Sequence, residues 1–146
     1  MSRTFDVTPA PAVVLDYLKD FANAEEWDPG TQRCVQSAPG PVAVGTTWHN
    51  ASKLYFIRTE LEYRLDRLEP DRVTFVGTNT TATSTDDIAV RAEGAGSRVT
   101  YTADVEFNGL AKLGAPLMQL LFSRLAGDTE TSLRDALNRL GTDARP

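Results

Sequence analysis

Two tyrosines, an asparagine and an aspartate are the side chains of this sequence best suited to handling a small molecule. Tyr63 and Tyr101 each carry a phenol that can hydrogen-bond or polarise a ligand carbonyl, and the alternation of their segments turns both inward. The bland alternative is a pair of core aromatics with satisfied hydroxyls, because a buried phenol without a partner is costly. Asn50 follows Trp48 by two residues and shares its face. Its amide can orient a ligand carbonyl, or bond to neighbouring backbone at an edge. Asp86 shares a face with Ile88 and Val90. Burial would raise its pKa and suit it to acid or base work; a strand that begins later would leave it solvated. Asn79 is a further amide of this kind.

The single histidine, His49, neighbours Trp48 and faces the opposite way, toward solvent. Cys34, the single cysteine, reads as a small buried residue, since no histidine shares its face to activate it. One histidine and one cysteine leave no zinc site of the usual kind. Neither a Walker-type loop nor a GxGxxG run occurs, so neither metal nor cofactor is expected.

These side chains need elements to hold them. Arg3–Thr8 reads as a strand with Phe5 and Val7 on one face, ended by Pro9 and Pro11. Thr8 is a candidate cap for a helix with Pro11 in its first turn, carrying Val13, Val14, Tyr17, Leu18 and Phe21. Asn23, Glu25 and Glu26 suggest a second short helix, closed by Trp27-Asp28-Pro29-Gly30. Short strands follow over Arg33–Ser37 and Gly45–Ser52. The cleanest alternation places Ile57, Thr59, Leu61, Tyr63 and Leu65 on a dry face and charged residues on the other. Val73, Phe75 and Gly77 continue that face, then Ile88 and Val90. After the Gly94–Ser97 hairpin come Val99, Tyr101, Ala103, Val105 and Phe107.

Helical periodicity takes over from about Ala111 to Leu140. Met118, Phe122, Leu125, Thr129, Leu133, Ala136 and Leu140 make one stripe. Pro116 should kink or separate the first turns. Leu117, Leu120 and Leu121 add apolar surface that could pack against closing loops, meet a second copy of the chain, or touch a membrane. Packing is the simplest of these. The tail, Gly141 to Pro146, should fray.

The whole is one α+β domain over residues 1–146. Its 41% hydrophobic and 24% charged content is that of an ordinary globular chain. A net charge of −5 without a basic cluster argues against nucleic acid as partner. No apolar run approaches the roughly 20 residues of a membrane-spanning helix, and the N-terminus lacks a signal-peptide core. The expectation is a soluble, cytoplasmic protein without stable membrane insertion.

The order of elements is punctuated by Phe5-x-Val7, Pro11-x-x-Val14-x-x-Tyr17-Leu18-x-Asp20-Phe21, Trp27-Asp28-Pro29-Gly30, Val44-Gly45-Thr46-x-Trp48 and Gly96-Ser97-Arg98-Val99-Thr100-Tyr101. Taken together these resemble the START-like (SRPBCC) superfamily, within it the bacterial polyketide cyclase/dehydrase and lipid-transport group. The resemblance covers nearly the whole chain. It implies a helix-grip fold: a curved antiparallel β-sheet of about six to seven strands around a long C-terminal α-helix, with two short helices after the first strand. It also implies a cavity between sheet and helix for a small hydrophobic molecule, lipid-like or polyketide-like. It does not imply a reaction, because one fold serves many functions.

With the resemblance setting the cavity, the sequence's own alternation supplies its candidate wall: Trp48, Asn50, Leu61, Tyr63, Phe75 and Tyr101, then Ala103, Phe107, Met118, Phe122 and Leu125. Tyr63, Tyr101, Asn50 and Asp86 are the candidates for moving protons. Binding of a hydrophobic ligand leads. An aromatase/cyclase or dehydratase is the first rival. A non-catalytic stress or toxin–antitoxin module, its cavity filled by its own side chains, is the second. Homodimerisation stays open.

Overall fold

A computed structural model describes residues 1–143. Strand β1 (Ser2–Val7) is followed by helix α1 (Pro11–Leu18), a 3₁₀ turn (Phe21–Asn23) and the one-turn helix α2 (Ala24–Trp27). Six strands come next: β2 (Thr31–Gln36), β3 (Thr47–Leu54), β4 (Ile57–Glu69), β5 (Arg72–Thr78), β6 (Ala82–Glu93) and β7 (Gly96–Phe107). A second 3₁₀ segment (Gly109–Gly114) leads into α3 (Ala115–Asp143). The seven strands form one curved antiparallel sheet in the order β1-β7-β6-β5-β4-β3-β2. The helix-grip expectation therefore holds.

Several local expectations are corrected. Thr8 does not cap α1; Ala10 occupies that position without a side-chain bond. The Thr8 amide and hydroxyl instead donate to Asn138 Oδ1 (2.9 and 3.3 Å), tying the strand end to α3. Val13 is exposed, while α1 buries Val14, Leu15 and Leu18. Phe21 lies beyond that helix, in a 3₁₀ turn capped by Asp20, whose carboxylate accepts from the Ala22 amide. The last helix starts at Ala115, because Ala111 belongs to the separate 3₁₀ segment; Pro116 then falls in the first turn, where its missing N–H costs nothing. Of the tail expected to fray, Gly141–Asp143 continue α3, and 144–146 lie outside the described residues.

The long alternation of β4 turns out as expected, with Tyr63 and Leu65 buried on its dry face. It breaks at a register shift between Leu65 and Arg67. A bulge adds one residue to one strand and bends it, so Leu68, out of phase with Leu65, still packs against the core. On β6 the dry face is Ala82, Ser84, Asp86, Ile88 and Val90, a longer stretch than its two aliphatics suggest.

The core is concentrated at one end of the cleft between sheet and α3. There α3, which buries Leu133, Ala136 and Leu137, packs on β1, α1 and α2, and α1 in turn covers β5, β6 and β7 with their Val73, Ile88 and Val99. At the other end the helix residues Met118, Phe122 and Leu125 are only half-buried. The sheet opposite carries Ala82, Ser84 and Ala103, too small to reach across the gap.

Candidate functional site

That gap is a cavity of about 660 Å³. Four rows of the sheet, read across β5, β6 and β7, show how it arises. In the first row Val73 and Ile88 are filled core, and Tyr101 beside them is the inner edge of the cavity. Phe75–Asp86–Ala103 follows, then Gly77–Ser84–Val105, then Ala82 beside Phe107. Small and polar side chains replace branched aliphatics along this path, so sheet and helix separate. The far end opens between the β3–β4 hairpin (Lys53, Leu54, Ile57, Arg58) and Ala111 with the first turns of α3.

Of the expected wall, Leu61, Tyr63, Tyr101 and Ala103 line the cavity, as do Phe107, Met118, Phe122 and Leu125. Asp86 lines it as well. Trp48, Asn50 and Phe75 do not, although each faces inward. Trp48 is fully buried, donates its indole N–H to Asp20 (3.2 Å) and stands edge-on to Phe21 and Phe75. Phe75 lies 4.5 Å, centroid to centroid, from Phe21. The short segment after α1 delivers Phe21 into this aromatic group and fills the space that these side chains would otherwise bound. Asn50 is spent on local structure: it donates to Thr31 Oγ1 (3.1 Å) and accepts from Ser52 Oγ (2.6 Å). Asn79 is likewise committed to the β5–β6 turn, accepting from the Thr81 and Ala82 amides. His49 is exposed and paired with Glu60 at 3.0 Å. Cys34 is buried, and desolvation pushes its thiol up to about 12, which makes it a poor nucleophile.

Two of the inward residues are held firmly. The Tyr63 ring packs on Phe21 (4.4 Å between centroids) and lies flat over Gly77. A Cβ at Gly77 would sit 2.7 Å from the ring carbons, so glycine is what lets the phenol lie there. Tyr101 meets Trp27 edge-on at 5.7 Å. Aromatic packing at these separations fixes ring orientation as well as burying area.

The polar group at the inner end of the cavity is Asp86 with Tyr63, Tyr101, Ser84 and Asp28. Asp86 is only 5% exposed. Desolvation raises its pKa to about 7, with the Asp28 charge adding to the rise, while interactions with Tyr101 and Ser84 pull partly the other way. Asp28 is itself raised, first by burial, although its carboxylate accepts from the Gly30 amide (3.0 Å) and the Thr31 hydroxyl (2.9 Å). Both phenols are pushed well above their ordinary value by burial and by Asp86. Near neutral pH this group can therefore give or take a proton through Asp86, while the phenols stay protonated as donors. Asp28 and Ser84 escaped the sequence reading. Asp28 looked like a turn residue, which it also is, and Ser84 lies in a run, Thr83-Ser84-Thr85, without an apolar phase.

The long helix gripped by a curved sheet, with a cavity between, defines the class to which the molecule belongs. A family model described as polyketide cyclase / dehydrase and lipid transport matches residues 1–144. The chain is a member of that family. In backbone it is similar to the protein TTHA0849 from Thermus thermophilus (TM-score 0.78, 14% identity, 99% of each chain covered). It is similar as well to a START superfamily protein from Mycobacterium smegmatis (TM-score 0.77, 12% identity, 96% of this chain and 97% of that one). The Zhui aromatase/cyclase from Streptomyces sp. R1128 compares at TM-score 0.77 and 13% identity, over 99% of this chain and 94% of that one. At such identities the likeness is one of fold. No curated protein sequence matches the chain. Among the described residues, no helix is long and apolar enough to cross a membrane.

Proposed function

We propose that this protein binds a small, mainly apolar molecule, lipid-like or polyketide-like, between its sheet and its C-terminal helix. The observation that carries this reading is the 660 Å³ cavity, walled by Leu61, Ala103, Phe107, Met118, Phe122 and Leu125. Covering the apolar surface of a ligand there is worth roughly 25 cal/mol per Å² removed from water. A cavity of several hundred cubic ångströms is of ordinary size for a small-molecule site. Membership of a family named for both cyclases and lipid transport supports the same ligand class. Native mass spectrometry of the purified protein, with denaturing extraction of whatever is released, tests the reading. A discrete lipid-like or polyketide-like mass is the expected result. Ala103→Trp should then abolish its retention by filling the cavity. A protein that stays empty after exposure to fatty acids, sterols and aromatic polyketides would sink the proposal.

One observation favours a second reading, in which the bound molecule also reacts. Asp86, poised near neutrality beside Tyr101, is placed to move a proton during an aldol-type cyclisation or dehydration. Replacing Tyr63 and Tyr101 by Phe separates the two. Turnover would vanish in an enzyme, whereas a carrier would only change its affinity.

A further inference from the structure

Among the described residues, the acids at the inner end of the cavity have no counter-ion. Asp86 is more than nine-tenths buried and Asp28 half-buried, and both line the cavity. Neither forms an ion pair among the described residues. The groups around Asp86 are all acidic or neutral: Asp28 from the turn before β2, Tyr63 from β4, Ser84 from its own strand and Tyr101 from β7. Cys34 of β2, also without positive charge, lies near enough to act on Tyr63. From α3 the lining polar residues are Gln119, Ser123 and Thr129, none of them charged.

Three cations of the described residues line the cavity wall, and none of them is among the groups that act on Asp86. Lys53 and Arg58 are exposed in the β3–β4 hairpin; the Lys53 amide donates to the Gly30 carbonyl (2.8 Å) of the turn that carries Asp28, but neither cation forms an ion pair with Asp28 or Asp86. The Met1 ammonium donates to the Ala103 carbonyl at 3.0 Å. Buried charges are ordinarily paired, and an unpaired acid holds its proton instead. Two acids facing open space, with no cation paired to them among the described residues, are complementary to a ligand that brings one.

We infer that the ligand of this cavity carries a protonated amine on an apolar body, the amine seated against Asp86 and Asp28 and the body lying between Phe107, Met118 and Phe122. This rests on the binding reading above and narrows it. A fatty-acid carboxylate pushed to the same depth would meet like charge, so anionic amphiphiles would be rejected or would bind the other way round.

Isothermal titration calorimetry on the full-length protein with decylamine, decanol and decanoate tests this. The three probes share one chain and differ in head group. At about pH 8 decylamine should bind at least about ten-fold more tightly than decanol, the scale of one charge-assisted contact, and decanoate more weakly than either. The amine stays charged down to about pH 5.5, where Asp86 regains its proton, so its advantage should shrink there. Asp86→Asn should bring decylamine to the level of decanol at both pH values. Equal binding of decylamine and decanol to the unaltered protein at about pH 8 would overturn the inference while leaving the cavity reading intact. So would an amine preference that survives in a folded Asp86→Asn protein. If none of the three probes binds, the binding reading falls and this inference with it. The pH series on the unaltered protein decides the matter even where the variant fails to fold.

Discussion

The two halves of α3 make an instructive contrast. From Thr129 onward the helix lies on filled core: Leu133 and Leu137 are fully buried, and α3 packs there with β1 and the short helices α1 and α2. Before Leu125 the same helix presents half-buried Met118 and Phe122 to the cavity and leaves Leu117 and Leu120 exposed, 57% and 51% respectively. Leu110 and Leu113, in the 3₁₀ segment ahead of it, are more exposed still. The extra leucines at 117 and 120 therefore do not pack against closing loops, which was the simplest expectation for them. One amphipathic pattern runs through both halves. What differs is what lies beneath: β1 with the short helices α1 and α2 under one half, the Ala, Ser and Asp side chains of the open sheet under the other. One half supplies stability; the other leaves room.

That contrast can be broken most sharply at Leu137. Leu137→Ala should cost about 3 kcal/mol of unfolding free energy, as a cavity opened in filled core does. Phe122→Ala, in the open half, should cost under about 1 kcal/mol and alter ligand affinity instead. Chemical denaturation of both variants checks the pair; similar losses would show that the helix is uniformly packed.

Asp86 gives an effect of comparable scale, and its sign follows from its raised pKa. The unfolded chain loses this proton near pH 4, the folded chain only near 7. Unfolding therefore releases a proton between those values, and the folded state loses stability as pH rises through that window. Asp86→Asn removes the effect. Its stability relative to the unaltered protein should grow from about pH 4 to about pH 7 and then level off. An upper bound is roughly 4 kcal/mol, from a shift of about three pKa units. Urea melts across pH would reveal a flat difference if Asp86 were solvated.

Gly77→Ala should cost about 1–3 kcal/mol, because the new methyl displaces the Tyr63 ring from its seat. Near-ultraviolet circular dichroism should report the moved tyrosine, and any ligand that touches the phenol should bind more weakly. Leu113→Ser belongs at the bottom of the scale. The side chain is 82% exposed, and its replacement should change stability by less than about 0.5 kcal/mol. A larger loss would mean that something covers the start of α3 in solution.

Much of this architecture was written in local patterns. Period-two alternation located β4 and β7 and put Tyr63 and Tyr101 inward; helical periodicity located α3; proline and glycine marked the breaks. These signals are local because each strand or helix must show one dry face to whatever covers it. Asp86 also lay on its expected face, although the strand that buries it begins at Ala82, within a polar run that has no apolar phase.

Facing inward, however, does not say what is faced. Trp48 and Phe75 point the same way as Tyr63, yet they abut Phe21 and bound no space, because the turn after α1 folds back under them. Asn50 points inward and is consumed by Thr31 and Ser52. Asp28, read as a turn residue, becomes part of the acid pair only because the turn before β2 meets β4 and β6 in one place. By itself, the sequence determined which faces are dry and in what order the elements come. Tertiary structure alone decided where the dry faces touch and where they stand apart, since that depends on the summed volumes of side chains from segments far apart in the chain. The cavity and the unpaired acids at its inner end are products of that sum.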